Sequence, residues 1–121
     1  MKIREITEHL NATLLCGEES LDSDVFSACS SDMMSDVLAY VKDQAVLLTG
    51  LVNPQVIRTA EMMDMRCVVF VRKKTPTEEM KELAEDAGIV LMKTDLRMFE
   101  ACGILYNAGL RGHIEGGSVN A

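Results

Sequence analysis

The sequence contains no apolar run long enough to cross a membrane. Its longest runs, such as residues 45–48 and 67–71, have the length of β-strands, whereas a membrane-spanning helix needs about 20 residues. Residues 1–5 lack both the continuous apolar stretch and the small-residue cleavage site of a secretory signal. We therefore expect a cytoplasmic protein that does not enter the membrane.

Tryptophan is absent, and the chain has only two tyrosines and three phenylalanines against nine methionines. This composition predicts a core filled by flexible side chains rather than by aromatic stacking. The four cysteines form no C-x-x-C pair, and none lies at short spacing from a histidine, which excludes the usual zinc and redox-dithiol motifs. We expect buried, reduced thiols, no metal and no cofactor.

The two common phosphate-binding loops are also missing. Neither G-x-G-x-x-G nor G-x-x-x-x-G-K-[ST] occurs, so the chain lacks the phosphate-binding loop that kinases and NTPases need. His9 and His113 belong to no motif with a nucleophile or a ligand pair, and we interpret both as solvated side chains. The formal net charge of −7 and the lack of a basic stripe with aromatics exclude nucleic acid as a partner.

The order of apolar segments predicts an α/β fold. Continuously apolar strands alternate with helices over residues 45–108, which is typical of a parallel sheet covered on both faces. The predicted strands are residues 12–16, 25–29, 45–49, 67–71 and 89–92. We expect one domain over residues 1–109, with a largely parallel or mixed sheet of about five strands and helices on both faces. A flexible glycine-containing tail is expected over residues 110–121.

Capping signals stand before the predicted helices. Residues 30–32, Ser-Ser-Asp, precede the second helix, and we interpret their side-chain oxygens as its cap rather than as a nucleophile with a carboxylate. Asn53 and Pro54 provide a cap and a first helical residue. Residues 75–78, Thr-Pro-Thr-Glu, have the pattern of a capping box with proline at the first helical position. Thr94 or Asp95 caps the last helix.

The one basic cluster of this acidic chain follows the fourth predicted strand. Open α/β sheets bind ligands at the carboxyl ends of their parallel strands, where amides, hydroxyls and cations of several loops can converge on an anion such as a nucleotide phosphate. The predicted ligand-binding residues are Thr49, Gly50, Arg72, Lys73, Lys74, Thr75 and Thr94. The alternative is a solubilising basic turn without a ligand.

The second predicted helix has an apolar surface broad enough to serve both the core and a partner. Since exposed methionine-rich surface often marks an interaction site, this helix is a candidate homodimer contact. The residues concerned are Met33, Met34, Val37, Leu38 and Val41. The alternative is a helix that is wholly buried.

The chain resembles the DRTGG domain family and, more distantly, the N-terminal domain of HPr kinase/phosphorylase. The matching stretches are residues 14–22, residues 28–38 with Ser31-Asp32-Met33-Met34-Ser35-Asp36-Val37, residues 83–93 with Ala87-Gly88-Ile89, and residues 99–109. One departure concerns the turn after the fourth strand, where related domains carry a Thr-Gly-Gly-like turn and this chain has Arg72-Lys73-Lys74. No Asp-Arg pair follows Thr49-Gly50. The basic cluster then indicates a changed ligand or none.

The resemblance implies a regulatory or dimerising module, since members of the family are attachments to enzymes. The kinase and acetyltransferase domains that accompany such modules are missing from this sequence. We therefore predict a non-catalytic homodimer that senses a small anionic metabolite or nucleotide, or that docks on a partner enzyme. Two alternatives remain. One is a small enzyme whose site is assembled between subunits from Ser31, Asp32, Thr49 and the basic cluster, and the other is a pure interaction adaptor.

Overall fold

The computed structural model describes residues 1–40 and 44–112. Five α-helices, five strands and a short 3-10 turn follow one another in these ranges. In chain order they are α1 (Ile3–His9), β1 (Thr13–Cys16), the 3-10 turn (Glu18–Ser20), β2 (Ser27–Ser30), α2 (Met34–Tyr40), β3 (Ala45–Thr49), α3 (Pro54–Met62), β4 (Cys67–Phe70), α4 (Glu78–Ala87), β5 (Val90–Lys93) and α5 (Met98–Asn107).

The strands form one mixed sheet in the order β1-β5-β4-β3-β2. Strands β2 to β5 are parallel to their neighbours, and β1 runs antiparallel to β5, with Thr13 opposite Lys93. Every residue of β3 and β4 is buried, which explains why these strands are continuously apolar rather than alternating. The predicted mixed sheet of about five strands is confirmed.

Helices cover both faces of the sheet, as predicted. Helices α2, α3 and α4 pack against one face, where Phe70 is the largest buried side chain. Helices α1 and α5 pack against the other face through Ile3, Ile6 and Leu105. The parallel crossovers place the loops that follow β2 to β5 at one edge of the sheet, which we call the carboxyl edge.

The helix starts follow the predicted signals only in part. Asn53 caps α3 by accepting a hydrogen bond from the Gln55 amide at 2.8 Å, and Pro54 is the first helical residue, as predicted. The cap predicted at Thr75 is wrong, because Thr77 caps α4 and the proline lies before the cap. The cap predicted for α5 at residues 94–95 is also wrong, since the helix begins after Arg97 without a side-chain bond.

Ordered packing continues past the predicted domain boundary at residue 109. Leu110 is 5% exposed and belongs to the core on the α1–α5 face. The carbonyl of Arg111 accepts a hydrogen bond from the Ala28 amide at 2.8 Å, which attaches this segment to the outer edge of β2. Within the described residues no helix is long and apolar enough to span a bilayer. Val41, His113 and the rest of the predicted tail lie outside those residues.

Candidate functional site

The carboxyl edge brings the predicted ligand-binding residues together, because the parallel strands all end there. Thr49 and Gly50 follow β3, residues 72–75 follow β4, and Thr94 follows β5. Their exposure differs: Thr49, Gly50 and Thr94 are buried, whereas residues 72–75 are exposed. The edge therefore has a buried layer of polar side chains beneath an exposed basic loop.

Asp32, in the loop between β2 and α2, connects this loop to the residues that follow β3 and β4. One carboxylate oxygen, Oδ1, accepts hydrogen bonds from the Gly50 amide at 2.7 Å and from the Thr49 hydroxyl at 3.2 Å. The other, Oδ2, lies 3.3 Å from Nη2 of Arg72. The interpretation of Asp32 as a helix cap is therefore wrong: its partners are the ends of β3 and β4. Ser31 provides the local bond instead, since its hydroxyl oxygen accepts from the Met33 amide at 2.9 Å.

Arg72 reaches Asp32 by lying directly over Gly50. A Cβ atom at position 50 would overlap Nη2 of Arg72 and would lie 2.7 Å from its Cζ. Glycine is required at this position for the guanidinium to occupy this place. The Arg72–Asp32 pair is about half exposed on both sides, 45% and 46%, so an approaching anion can compete with the carboxylate for the arginine.

The basic loop has an unusual backbone. Arg72 and Lys73 both have positive φ angles, 59° and 61°. Residues other than glycine adopt this left-handed backbone conformation at a cost of roughly 1–2 kcal/mol each. The Arg72 amide donates to the Leu96 carbonyl at 2.8 Å, and the Lys73 amide donates to the Thr94 carbonyl at 3.1 Å. The loop amides are therefore bonded to the neighbouring loop, and the side chains are what the loop presents to solvent.

The two buried threonines of the edge have their hydroxyls bonded within the chain. Thr94 donates to the Leu10 carbonyl at 2.8 Å and accepts from the Leu96 amide at 3.2 Å. Thr49, besides donating to Asp32, accepts from the Leu51 amide at 3.1 Å. These bonds fix the loops after β3 and β5, and the amides of Arg72 and Lys73 are bonded to the second of these loops.

Two further cations join the edge, Lys93 from the end of β5 and Arg97 from the loop that follows. The Lys93 amine lies 3.4 Å from the Thr75 hydroxyl. Arg97 lines an open depression together with Arg72, Lys73 and Asp95. Sequence patterns did not single out Lys93 and Arg97, because each is an isolated charge and only the β4–β5 pairing brings them beside the basic loop. Five of the twelve lysines and arginines thus lie at this edge.

A second concavity, between β2 and α5, is apolar and small. It measures about 120 Å³ and is lined in part by Cys29, Cys102 and Tyr106. Ligand pockets usually measure roughly 300–1,000 Å³, so this cleft does not admit a nucleotide. The cleft is therefore an alternative location against which ligand binding at the carboxyl edge can be compared.

The thiols and carboxylates do not form a metal centre within residues 1–40 and 44–112, where no group of three or more histidine, cysteine, aspartate or glutamate side chains converges. Burial raises the pKa of Cys16, Cys29 and Cys67. Thiols of raised pKa stay protonated at neutral pH and are weak nucleophiles. The described cysteines are free, but the expected burial holds only for Cys67, since Cys16, Cys29 and Cys102 are partly exposed.

The predicted partner surface on α2 is divided by the fold. Met34 and Val37 are 8% and 0% exposed and pack in the core, so their apolar side chains are explained by folding alone. Met33 and Leu38 are 60% and 43% exposed and form the part that a partner could reach. The exposed apolar area on this helix is thus smaller than the sequence indicates.

The sequence model of the DRTGG domain matches residues 5–108. Among solved structures, the CBS and DRTGG domains of the regulatory region of Clostridium perfringens pyrophosphatase, complexed with the activator diadenosine tetraphosphate, are similar with a TM-score of 0.72 at 16% sequence identity. The alignment covers 95% of this chain and 51% of that one, so this chain spans about half its length. Among curated proteins, no sequence matches.

Proposed function

The chain belongs to the DRTGG domain family, and from this starting point we propose that it is a non-catalytic regulatory module that binds a small polyanion, of the nucleotide class, at its carboxyl edge. The observation that carries the proposal is the concentration of cations there. In a chain of net charge −7, five lysines and arginines converge on one edge against two carboxylates, Asp32 and Asp95. Such a local excess attracts phosphate groups even though the whole chain repels them.

The structurally similar pyrophosphatase region supports the ligand class. That protein was crystallised with diadenosine tetraphosphate, a polyanion with two aromatic bases. The basic loop offers matching chemistry, because arginine binds phosphate oxygens through two parallel N–H groups and lysine binds them as a point charge. We expect direct contacts from residues 72–75 and from Lys93 and Arg97. In this proposal Thr49, Gly50 and Thr94 shape the edge from below.

Arg72 provides a way for binding to change the protein. In the structure its guanidinium pairs with Asp32, which also holds the end of β3 through the Gly50 amide. A phosphate that takes Arg72 leaves Asp32 with its two bonds to residues 49–50 only. The loop between β2 and α2 then loses its ion pair with the loop after β4. This loop contains the exposed Met33 and leads directly into α2.

We further propose that the module works in the cytoplasm as a homodimer and acts on a partner enzyme. The absence of its own catalytic motif and the enzyme-associated setting of the similar regulatory region support this part of the proposal. A pure adaptor would bind its partner with the same affinity whether or not nucleotide is present. This difference separates the two functions experimentally.

Thermal unfolding in the presence of diadenosine tetraphosphate, ATP or inorganic phosphate tests the ligand. A ligand at 100 times its Kd stabilises the folded state by about 2.7 kcal/mol, which is readily measured. The double variant Lys73→Glu/Lys74→Glu should abolish the shift while leaving the Arg72–Asp32 pair intact. The matched control, Arg58→Glu/Arg66→Glu, makes the same charge change at two exposed arginines away from the carboxyl edge and should keep it.

Two results would overturn the ligand proposal. Absence of stabilisation by every polyanion at millimolar concentration would show that the basic loop is only a solvated turn. An equal loss in both double variants would show that any stabilisation is a general charge effect and not binding at the carboxyl edge.

A further inference from the structure

The outer face of α5 exposes two of the five aromatic side chains of the protein. Phe99 is 84% exposed, more than any other large apolar side chain among the described residues, and Tyr106 is 57% exposed. They are seven positions apart and therefore lie on one face of the helix, together with Cys102 and Gly103 between them. We call this stripe of uncharged side chains the α5 face. Cys102 packs partly against the core and the Tyr106 ring contacts Arg111, but Phe99, at 84% exposure, contributes little to the folding of a single chain.

Gly103 strengthens this conclusion. A Cβ atom at this position would meet nothing within 4 Å, so no contact inside the chain requires glycine. A glycine in a helix interior costs roughly 0.8–1.0 kcal/mol relative to alanine. Close approach of another helix explains the residue, because the distance between packed helix axes decreases as the side chains at the contact become smaller.

We propose that two copies of the chain associate through the α5 face, with their α5 helices antiparallel and crossing at Gly103. The arrangement of the face fits a second copy as the partner. Phe99 and Tyr106 stand symmetrically on either side of Cys102–Gly103, about 5 Å away along the helix axis in each direction. A two-fold axis at that point places Phe99 of each chain near Tyr106 of the other, which gives two equivalent aromatic contacts.

Charge favours the same partner. Each copy carries a net charge of −7, so two copies can approach closely only where charge is sparse. Helix α5 contains a single charged residue, Glu100, whereas α4 contains Glu78, Glu79 and further acidic residues. The Tyr106 ring is also held in place, with the Arg111 guanidinium 3.9 Å from its centroid. A fixed aromatic ring loses little conformational freedom when a partner covers it.

The inference replaces α2 by α5 as the site of the dimer contact, and its homodimer part rests on the proposed function. The ligand part is independent, because the α5 face has no residue in common with the carboxyl edge. Nucleotide binding measured on a monomeric variant therefore tests the ligand proposal separately from the dimer.

Sedimentation equilibrium of the whole chain tests the α5 face. We expect a mass twice that of the 13.3 kDa chain, and we expect Phe99→Glu to raise the dimer dissociation constant by roughly a thousandfold, since the change occurs twice and one central interface residue contributes a factor of about 30. The matched control is Met62→Glu, because Met62 is 70% exposed on α3, on the opposite side of the sheet.

Gly103→Ala provides a second variant that does not depend on a disruptive charge. It should stabilise the monomer, as an unhindered glycine-to-alanine change in a helix does, and at the same time weaken the dimer by several fold. A wild-type chain that is monomeric at 100 μM would overturn the inference. So would a dimer that Met33→Glu dissociates and Phe99→Glu leaves intact, since that result assigns the contact to α2.

Discussion

Replacing Asp32 by alanine is expected to lower the free energy of unfolding by about 2 kcal/mol. The carboxylate accepts two hydrogen bonds from groups that are buried, the Gly50 amide at 2.7 Å and the hydroxyl of Thr49, which is 0% exposed. Leaving a buried donor without a partner costs roughly 1–3 kcal/mol. Two such donors together would cost roughly 2–6 kcal/mol. The lower end of this range applies, because Asp32 is 46% exposed on its other side and water can reach the vacated position.

Two matched variants separate the buried bonds from the exposed ion pair. Asp32→Asn keeps one oxygen for the Gly50 amide and the Thr49 hydroxyl, and replaces the charged oxygen that faces Arg72 with an NH2 group. Arg72→Ala removes the ion pair and leaves both buried bonds intact. A half-exposed ion pair contributes about 0–1 kcal/mol, so each of these variants should be destabilised by less than 1 kcal/mol.

Urea unfolding followed by circular dichroism measures all three variants, with the slope against urea concentration checking that the unfolded state has not changed. The expected order of stability is wild type, then Asp32→Asn and Arg72→Ala close together, then Asp32→Ala. If Asp32→Ala is no less stable than Arg72→Ala, the bonds to residues 49–50 do not hold the carboxyl edge and the role assigned to Asp32 is refuted.

Three further stability predictions use the same assay. Lys73→Gly should raise the free energy of unfolding by up to about 1 kcal/mol, because Lys73 has a φ of 61° that glycine adopts freely, whereas Lys74→Gly should lower it. Gly17→Ala should lower it by more than about 2 kcal/mol, since the new Cβ would lie 2.8 Å from the Val90 Cα. Burial raises the pKa of Cys67 above that of the unfolded thiol. The contribution of Cys67 to stability is therefore complete below about pH 8.5 and is lost at higher pH, by up to about 1.4 kcal/mol per pH unit. Cys67→Ala should remove this pH-dependent loss.

Each of these predictions has a result that contradicts it. Equal destabilisation of the two lysine variants would mean that the left-handed turn is not strained. An unchanged Gly17→Ala protein would mean that the end of β1 can move away from β5 at no cost. An alkaline slope in Cys67→Ala as steep as in the wild type would contradict the prediction for Cys67; a smaller slope should remain, because burial also raises the pKa of Cys16 and Cys29.

The repeated strand–helix units were predictable because their signals are local. The continuous apolar residues of β3 and β4 indicated buried parallel strands, and Asn53 with Pro54 marked the start of α3. Uncertainty lay at the ends of elements. Two threonines flank Pro76, either of which can cap a helix, and the choice of Thr77 depends on how the basic loop leaves β4.

The centre of the candidate site was not predictable, because it depends on contacts between distant residues. Asp32 has the position of a helix cap in the sequence, and its actual partners stand 17, 18 and 40 positions away. Lys93 and Arg97 join the basic loop only through the strand order. The positive φ angles of Arg72 and Lys73 could not be predicted, because arginine and lysine are not typical of this backbone conformation. What the sequence did identify was the right edge of the sheet, because the carboxyl ends of parallel strands meet there.

An NMR titration of the isotope-labelled chain with diadenosine tetraphosphate tests the central claim most directly. The account predicts amide shift changes concentrated in residues 72–75 and 93–97, with smaller changes near Asp32 as Arg72 leaves it. Lys73→Glu/Lys74→Glu should remove these changes. Shifts centred on the cleft between β2 and α5, or no saturable shifts at millimolar ligand, would contradict a polyanion site at the carboxyl edge.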